Sequence, residues 1–530
     1  MAAVDLTELA PVDAAALRQF GLALHEARRL ADAVKIYRQV AAIDPTDVTI
    51  LNNLCACLCD LGRLGEAAAA CERTLAVDPA YAKAHVNRGV IYEQQNDIEA
   101  AIGAYRRAIA AAPDDADGYA NLAVALHNTG EIDAALAASR RAVALAPEHA
   151  QVHSNLGAIL LSQGEIEAAL AASDRALALA PGDALVRSNH SAILLNKGEI
   201  DEALAVSHRA VALAPKHPTV RFNHSHLLLL SGDFENGFAD YRWRRKCAGL
   251  FSSKMNFSAP EWQGEAFAGR TLLLFAEQGI GDALQFVRYL PKIAARGREI
   301  LLSVQDTLVP LLRQLPAVTV VPRSAPLPPF DLQASLMDLP HVFGTTLTSI
   351  PAEIPYLLAD PAKVATWCRA LGDVTALKVG LVWAGSPIHK GDRYRSLAAE
   401  AVLPRLVMPG VQLYSLQKEP RVADLPVIAG LGSQVIDLAP KLGDFADTAA
   451  AVAALDLVIS VDTSVVHLAG AMGRPAWVLL PHAQDWRWLR DRDDSPWYPS
   501  LRLFRQQKPQ AWDGVLTRVA AALGELARTR

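Results

Sequence analysis

No apolar run in the 530-residue chain reaches the roughly 18 residues a membrane-crossing helix needs, so no bilayer span is expected. The opening segment, Met1 to Pro11, carries acids where a secretory leader would carry bases ahead of an apolar block. A cytoplasmic location is therefore expected. An excess of positive charge is also missing: 51 basic and 56 acidic side chains give a net charge of −5, with no general attraction for a polyanion. Cysteine is scarce, confined to Cys55, Cys57, Cys59, Cys71, Cys247 and Cys368. The Cys-x-Cys-x-Cys run lacks zinc-finger spacing and following paired histidines, and residues two apart on a helix point away from each other. These thiols read as small, reduced packing residues, and no metal site is expected. The 52% hydrophobic and 20% charged content is that of a folded protein, and the length calls for two or three domains.

What the chain does have is repetition. Pro45, Pro79, Pro113, Pro147, Pro181 and Pro215 recur every 34 residues, as do Ala33, Ala67, Ala101, Ala135, Ala169 and Ala203. A small residue marks a third position: Gly21, Cys55, Gly89, Ala123, Gly157, Ser191 and Ser225. Small side chains let paired helices approach, and proline ends the second helix of each pair. The pattern resembles the tetratricopeptide repeat, whose period is 34, over seven units beginning at Ala14 and ending with one from Pro218. The seventh departs from it, with Gly237 in place of alanine and no terminal proline.

A fourth position holds a carboxamide. Asn53, Asn87, Asn121, Asn155, Asn189 and Asn223 lie 34 apart, two residues before the small position, with Gln19 in the first slot. One reading is that each amide satisfies nearby backbone. The other is that it binds peptide, since an amide can donate to a peptide carbonyl and accept from its N–H. The ladder resembles that of O-linked N-acetylglucosamine transferases, which implies an asparagine groove holding substrate backbone. His190 and His224, also one repeat apart, read as packing or solvated histidines rather than metal ligands.

After Arg245 the period stops. Short apolar strands then alternate with helical stretches, the signature of parallel α/β units. Strands are expected at 271–276, 300–304, 318–321, 378–383, 412–416, 457–461 and 476–480, with a proline-studded stretch, 322–361, dividing two Rossmann-like domains. The first strand runs into Gly279-Ile280-Gly281-Asp282. This is not the dinucleotide fingerprint, because Leu284 fills the third-glycine slot, and no P-loop occurs. Asp282 stands at a helix start, as a cap or as a carboxylate available to an acceptor hydroxyl.

Three further segments point to a nucleotide diphosphate. Asp462-Thr463-Ser464 follows a buried strand and opens a short helix that continues to His467, an N-terminus suited to an anion. Gly385-Ser386 precedes a basic loop with His389, Lys390, Arg393 and Arg395, and cationic groups stabilise charge on a leaving phosphate. Gln417-Lys418 ends another strand at the same expected edge. Asp444 to Thr448 caps a helix or contacts base or ribose. Trp486, Trp488, Trp497 and Tyr498 read as packing, and 512–526 as an amphipathic helix docked across both Rossmann-like domains.

Together GIGD, GLVWAGS, SLQK, DFADTAA and VDTSVVHLAGAMGRP resemble bacterial GT-B proteins related to the lipopolysaccharide heptosyltransferases, over about residues 270–510. The arrangement also looks like bacterial proteins that join tetratricopeptide repeats to such a domain, flagellin glycosyltransferases among them. The resemblance implies a multidomain fold: a tail 1–13, an all-α tetratricopeptide superhelix 14–251, a linker 252–269, and α/β GT-B halves 270–375 and 376–530. It implies a metal-independent glycosyltransferase with Asp282 as base and no cofactor beyond a nucleotide-sugar co-substrate. The phosphate-binding lysine of the relatives has two candidates, Lys390 and Lys418. The expected acceptor is a Ser or Thr of a recruited protein, flagellin being the one the resemblance names. Rival expectations are a lipid-linked or polysaccharide acceptor, and a non-catalytic scaffold that senses nucleotide sugar.

Overall fold

The computed structural model describes residues 14–247, 255, 257–372, 374–387 and 391–529. These fall into two compact units that divide between Ile193 and Leu194.

The first unit is all helix. Its pairs run Ala14–Glu26 with Leu30–Ile43, Val48–Asp60 with Leu64–Val77, Ala82–Gln94 with Ile98–Ala111, Ala116–Thr129 with Ile132–Leu145, and Ala150–Gln163 with Ile166–Leu179. Each second helix stops two residues short of its proline, the residue before a proline being biased away from helix. The small positions are set by contact. A Cβ on Gly21 would lie 2.7 Å from the Tyr37 ring, and one on Gly157 would lie 3.2 Å from the Ala169 carbonyl oxygen. Ala33, Ala67, Ala101, Ala135 and Ala169 are fully buried where the helices cross. Cys55, Cys57, Cys59 and Cys71 sit in the core of the second pair as packing residues, whereas Cys368, outside this unit, is exposed. His190 is also a packing residue, with its Nδ1 2.9 Å from Ser173 Oγ.

The second unit begins with the rest of the sixth pair, whose second helix is Ile200–Leu213, and the seventh pair, Pro218–Leu230 with Phe234–Tyr241. His224 repeats the histidine–serine arrangement with Ser207, again at 2.9 Å. Two parallel sheets follow. The first holds β1 (Leu272–Phe275), β2 (Ile300–Val304), β3 (Val318–Pro322) and β4 (Leu332–Ser335), in the order β3-β2-β1-β4. The second holds β5 (Leu377–Val382), β6 (Val411–Ser415), β7 (Val435–Asp437), β8 (Leu457–Val461), β9 (Ala476–Leu480) and β10 (Leu501–Arg505), in the order β10-β9-β8-β5-β6-β7. Every residue of β1, β2, β8 and β9 is buried, as expected for parallel strands covered on both faces. Along β8, Val458 enters one apolar core while Leu457, Ile459 and Val461 enter the other.

Three strands were not expected from the sequence. β4 lies inside the proline-studded stretch, and β7 and β10 form the edges of the second sheet. The stretch read as a linker packs on the first sheet's core: Trp262 and Phe267 are buried, and the Trp262 backbone N–H donates to the Gln333 carbonyl at 2.9 Å. The terminal helix, Trp512–Arg528, was expected to cross both sheets' domains. Instead Val515, Leu516, Val519 and Leu523 all bury in the core on one face of the second sheet.

Candidate functional site

Strand order places the site. In the second sheet the winding reverses between β5 and β8, and such a switch point opens a crevice outside the carboxyl ends of the strands. A cleft of about 250 Å³ lies there. Gly385 and Ser386 enter it from the end of β5, Gln417 and Lys418 from β6, and Thr463 and Ser464 from β8. Asp444, Phe445 and Thr448 line it from the Phe445–Ala453 helix, and Thr307 from the first sheet's half. Thr463 is the N-cap of the Ser464–Ala471 helix, in extended backbone, so that the first free N–H groups of that helix follow directly.

The loops around this cleft are tied to each other through buried side chains. Gln417 Oε1 accepts from the Trp383 and Ala384 N–H groups at 3.2 and 3.0 Å, which locks the β6 loop to the β5 loop. The Gly385 N–H donates to Ser396 Oγ at 2.8 Å, and Ser396 donates on to Asp392 at 2.7 Å. Asp392 also takes Arg421 at 3.1 Å, while Arg395 donates to the Asp462 carbonyl at 2.8 Å. A Cβ on Gly385 would lie 2.6 Å from both Asp392 Oδ1 and Arg395 Nη2, so no other residue fits without displacing that pair. Asp444 caps its helix, accepting from the Ala446 and Asp447 N–H groups at 2.7 and 3.0 Å. Arg393 lies over the Tyr394 ring at 4.7 Å. His389 and Lys390 lie outside the described residues, so Lys418 is the lysine candidate placed at the cleft.

A second cluster surrounds Asp282, at the start of the Ile280–Phe286 helix. Its Oδ2 accepts the Gly279 N–H at 2.8 Å; Gly279 is the N-cap and Asp282, expected as the cap itself, stands at the third helical position and reaches back to it. Its Oδ1 pairs with Arg487 at 2.5 Å, and the side chain stays 20% exposed. Arg487 reaches on to Asp485 at 2.8 Å and to Gln285 Oε1 at 2.8 Å, with its guanidinium 4.3 Å from the Trp486 ring centre. Gly281 has no side chain because His467 occupies the space: an added Cβ would stand 2.7 Å from the imidazole.

The electrostatics of this cluster follow from burial around one arginine. Burial, then the nearby Arg487 charge, pushes the His467 pKa down to about 3, so its ring is neutral and brings no positive charge to a phosphate. The ring is held by Tyr498, whose hydroxyl lies 3.0 Å from His467 Nδ1, and is stacked on Trp488. Asp462, with Oδ1 3.9 Å from His467 Nε2, is pushed up to about 6 by burial and by the like charge of Asp485. Burial disfavours the charge on Asp485, but Arg487 more than offsets it and holds that carboxyl below its usual range. Trp486, Trp488, Trp497 and Tyr498 are buried packing residues, as expected. Arg487, lying among them, was not anticipated as a functional residue; its signal, a cation between two tryptophans in sequence, is legible only once Asp282 is placed beside it.

The six ladder asparagines are all half-buried. Several make bonds within the array. Asn87 donates to Asn52 Oδ1 at 2.8 Å, Asn189 donates to Ser154 Oγ at 2.9 Å, and Asn121 donates to the Asp117 carbonyl at 2.8 Å. Asn155 accepts from Gln151 at 2.8 Å, and Asn53 lies at the Tyr37 hydroxyl. Asn223 is likewise engaged. These bonds use part of each amide's capacity for two donated and two accepted bonds.

The tetratricopeptide repeat family matches residues 58–116 and 120–184, and glycosyltransferase family 9 (heptosyltransferase) matches residues 407–508. The second match takes in the β6 and β8 walls of the cleft and Arg487. Protein FlbA of Caulobacter vibrioides is 32% identical over 290 residues, covering 50% of this chain and 48% of the relative's length. Among solved structures, a crystal structure of an APC/C hetero-tetramer is 17% identical over 41% of this chain and 43% of that one, with a TM-score of 0.38. YrrB, described as a TPR protein with an unusual peptide-binding site, is 21% identical over 35% of this chain and 95% of its own, with a TM-score of 0.27.

Proposed function

The chain carries tetratricopeptide repeats ahead of a glycosyltransferase family 9 domain, and we propose that it is a GT-B enzyme transferring a sugar from a nucleotide donor to a Ser or Thr of a recruited protein. The observation that carries this is the switch-point cleft of the second sheet, which lies within and beside the matched segment and gathers groups suited to a diphosphate. The helix start at Thr463 and Ser464 offers hydroxyls and backbone N–H groups, and its dipole favours an anion by about 0.3–1 kcal/mol. Lys418 adds a mobile point charge, and Ser386 a further hydroxyl. Gly385, Gln417, Asp462 and His467 shape the walls. These groups meet the departing nucleotide's charge without a bound metal.

Asp282 is the base in this scheme. The acceptor oxygen attacks the anomeric carbon, its proton passes to the carboxylate, and the nucleotide leaves with the bonding pair. Arg487 orients Asp282 by holding one oxygen. Gly279 and Gly281 let the backbone and His467 pack close behind it. The asparagine ladder supplies backbone contacts to an extended acceptor; at about 0.5–1.5 kcal/mol for each bond, its grip is modest and tolerant of sequence. By resemblance, flagellin is the acceptor to try first, in the cytoplasm. Full-length protein given a nucleotide sugar and acceptor should release nucleotide, and Asp282→Asn should abolish release. An undiminished rate in that variant removes Asp282 from the role.

A further inference from the structure

The seventh helix pair differs from those before it. Earlier second helices run 14 residues, but Phe234–Tyr241 runs 8 and passes directly into the Arg242–Lys246 turn. This brings Tyr241 onto the loop that follows β1. Its hydroxyl lies 3.1 Å from Gln278 Oε1 and 2.9 Å from Gln278 Nε2. Gln278 adjoins Gly279, whose N–H Asp282 holds at 2.8 Å. Two hydrogen-bonded links, joined by the Gln278–Gly279 peptide bond, thus connect the repeat to the proposed base.

The other side of the Tyr241 ring faces two aromatic side chains from the Pro218–Leu230 helix. Phe222 lies 5.4 Å and His226 5.6 Å from it, and those two rings meet edge-on at 4.7 Å. Phe222 and His226 are one turn apart and half-buried, and they flank Asn223, the last rung of the ladder. His226 Nδ1 lies 3.0 Å from the Phe222 carbonyl oxygen and donates to it, leaving Nε2 as an acceptor in the neutral ring. Burial keeps that ring neutral by lowering its pKa. Such a patch offers apolar faces and one acceptor; the cation beside it, Arg244, lies 4.8 Å from the Tyr241 ring centre but is buried in ion pairs with Glu277 and Asp338. Tyr241 itself is buried, so the accessible part of the cluster is the Phe222 and His226 rings resting on it, and aromatic side chains of this kind are enriched at recognition surfaces.

We infer that Phe222 and His226, backed by the buried Tyr241 ring, form an acceptor subsite, which seats an apolar side chain of an extended polypeptide so that its neighbouring Ser or Thr meets Asp282. The inference rests on the glycosyltransferase reading for the chemistry, but not for the binding. The donor's charge is met elsewhere, at Lys418, Thr463 and Ser464. Tyr241 is also a positioning residue, holding the 278–282 loop through Gln278.

Two measurements on full-length protein test this, with Phe222→Leu and His226→Gln chosen to keep most of the buried volume. The probes are synthetic peptides with one central serine and varied apolar flanks, fluorescein-labelled for anisotropy. Both variants should melt like the parent yet bind the preferred peptide about tenfold more weakly. Given any donor that the parent turns over, they should raise the peptide KM similarly and leave donor hydrolysis to water within about twofold. Unchanged peptide affinity overturns the subsite, as does an equal loss of hydrolysis and transfer. Weakened peptide binding in a protein that turns over no donor upholds the subsite and removes the enzymatic reading instead.

Discussion

At the scale of single residues, the cluster around Arg487 makes the sharpest claims. Arg487 is charged and nearly buried between Asp282 and Asp485. Replacing it with methionine strands two carboxylates and should cost about 3–5 kcal/mol, read as a lowered denaturation midpoint. Asp282→Asn keeps the Gly279 bond through the amide oxygen but turns its NH2 toward Arg487, which retains Asp485 and Gln285; a folded variant with a lowered melting temperature is expected, with transfer reduced by about 10²–10⁴. The neighbouring pair Asp462 and His467 predicts a pH effect with a definite sign. The His467 pKa is depressed from 6.5 to about 3, so its contribution is full above 6.5 and is lost as pH falls toward 3. That of Asp462 is raised from 3.8 to about 6, so its contribution is full below 3.8 and is lost as pH rises toward 6. Between those limits the two slopes oppose each other. Asp462→Asn removes the offset, so its melting temperature should drop more steeply than the parent's on acidification from pH 7. The difference should be on the order of a few kcal/mol. Parallel melting curves against pH would contradict the assignment.

At the scale of elements, close approaches decide what is tolerated. Gly385→Ala must push apart Asp392 and Arg395, which hold the β5 loop, and overpacking of this kind costs about 1–3 kcal/mol. Its expected signature is weakened nucleotide-sugar affinity by calorimetry, exceeding that of Ser386→Ala, which deletes one hydroxyl. How much of this was legible beforehand depended on local pattern. β2, β8 and β9 begin and end where their mainly apolar runs do, β2 and β8 each carrying one serine, and the 34-residue period located every helix pair. β4 reads Leu-Gln-Ala-Ser amid prolines, and β7 spans three residues, so neither carries enough apolar sequence to declare itself. β10 was hidden by its arginines, which sit on the sheet's edge where charge is tolerated. The motif at Asp462–Ser464 was readable because a helix cap is local. The Arg487–Asp282 pair joins residues 205 apart, and no local spacing reveals it.

At the scale of the molecule, the second unit starts inside the repeat array rather than after it. Leu229, Leu230, Phe234, Phe238 and Tyr241 of the seventh pair share one apolar core with the sheets, and a buried ionic knot lies beside it. Arg244, on the turn after the seventh pair, is fully buried against Glu277 and Asp338 of the first sheet's half, with Arg245 completing the group. Arg244→Met leaves those carboxylates short of a partner and should destabilise the sheets, not merely the repeat, by about 3–5 kcal/mol. If hydrogen exchange at β1 and β4 were unaffected, the two would not be one folding unit. The ladder makes the complementary claim for the array. Alanine at Asn87, Asn121 and Asn155 together should weaken acceptor binding while donor hydrolysis persists.

The central claim is that a sugar leaves a nucleotide in the β5–β8 cleft and arrives on a protein hydroxyl. Intact-mass spectrometry of a candidate acceptor, after incubation with the full-length chain and a panel of nucleotide sugars, tests it most directly. The expected result is a gain of one or more sugar masses on the acceptor, absent with Asp282→Asn. An acceptor of unchanged mass beside a chain that binds nucleotide sugar tightly and never releases nucleotide would contradict it.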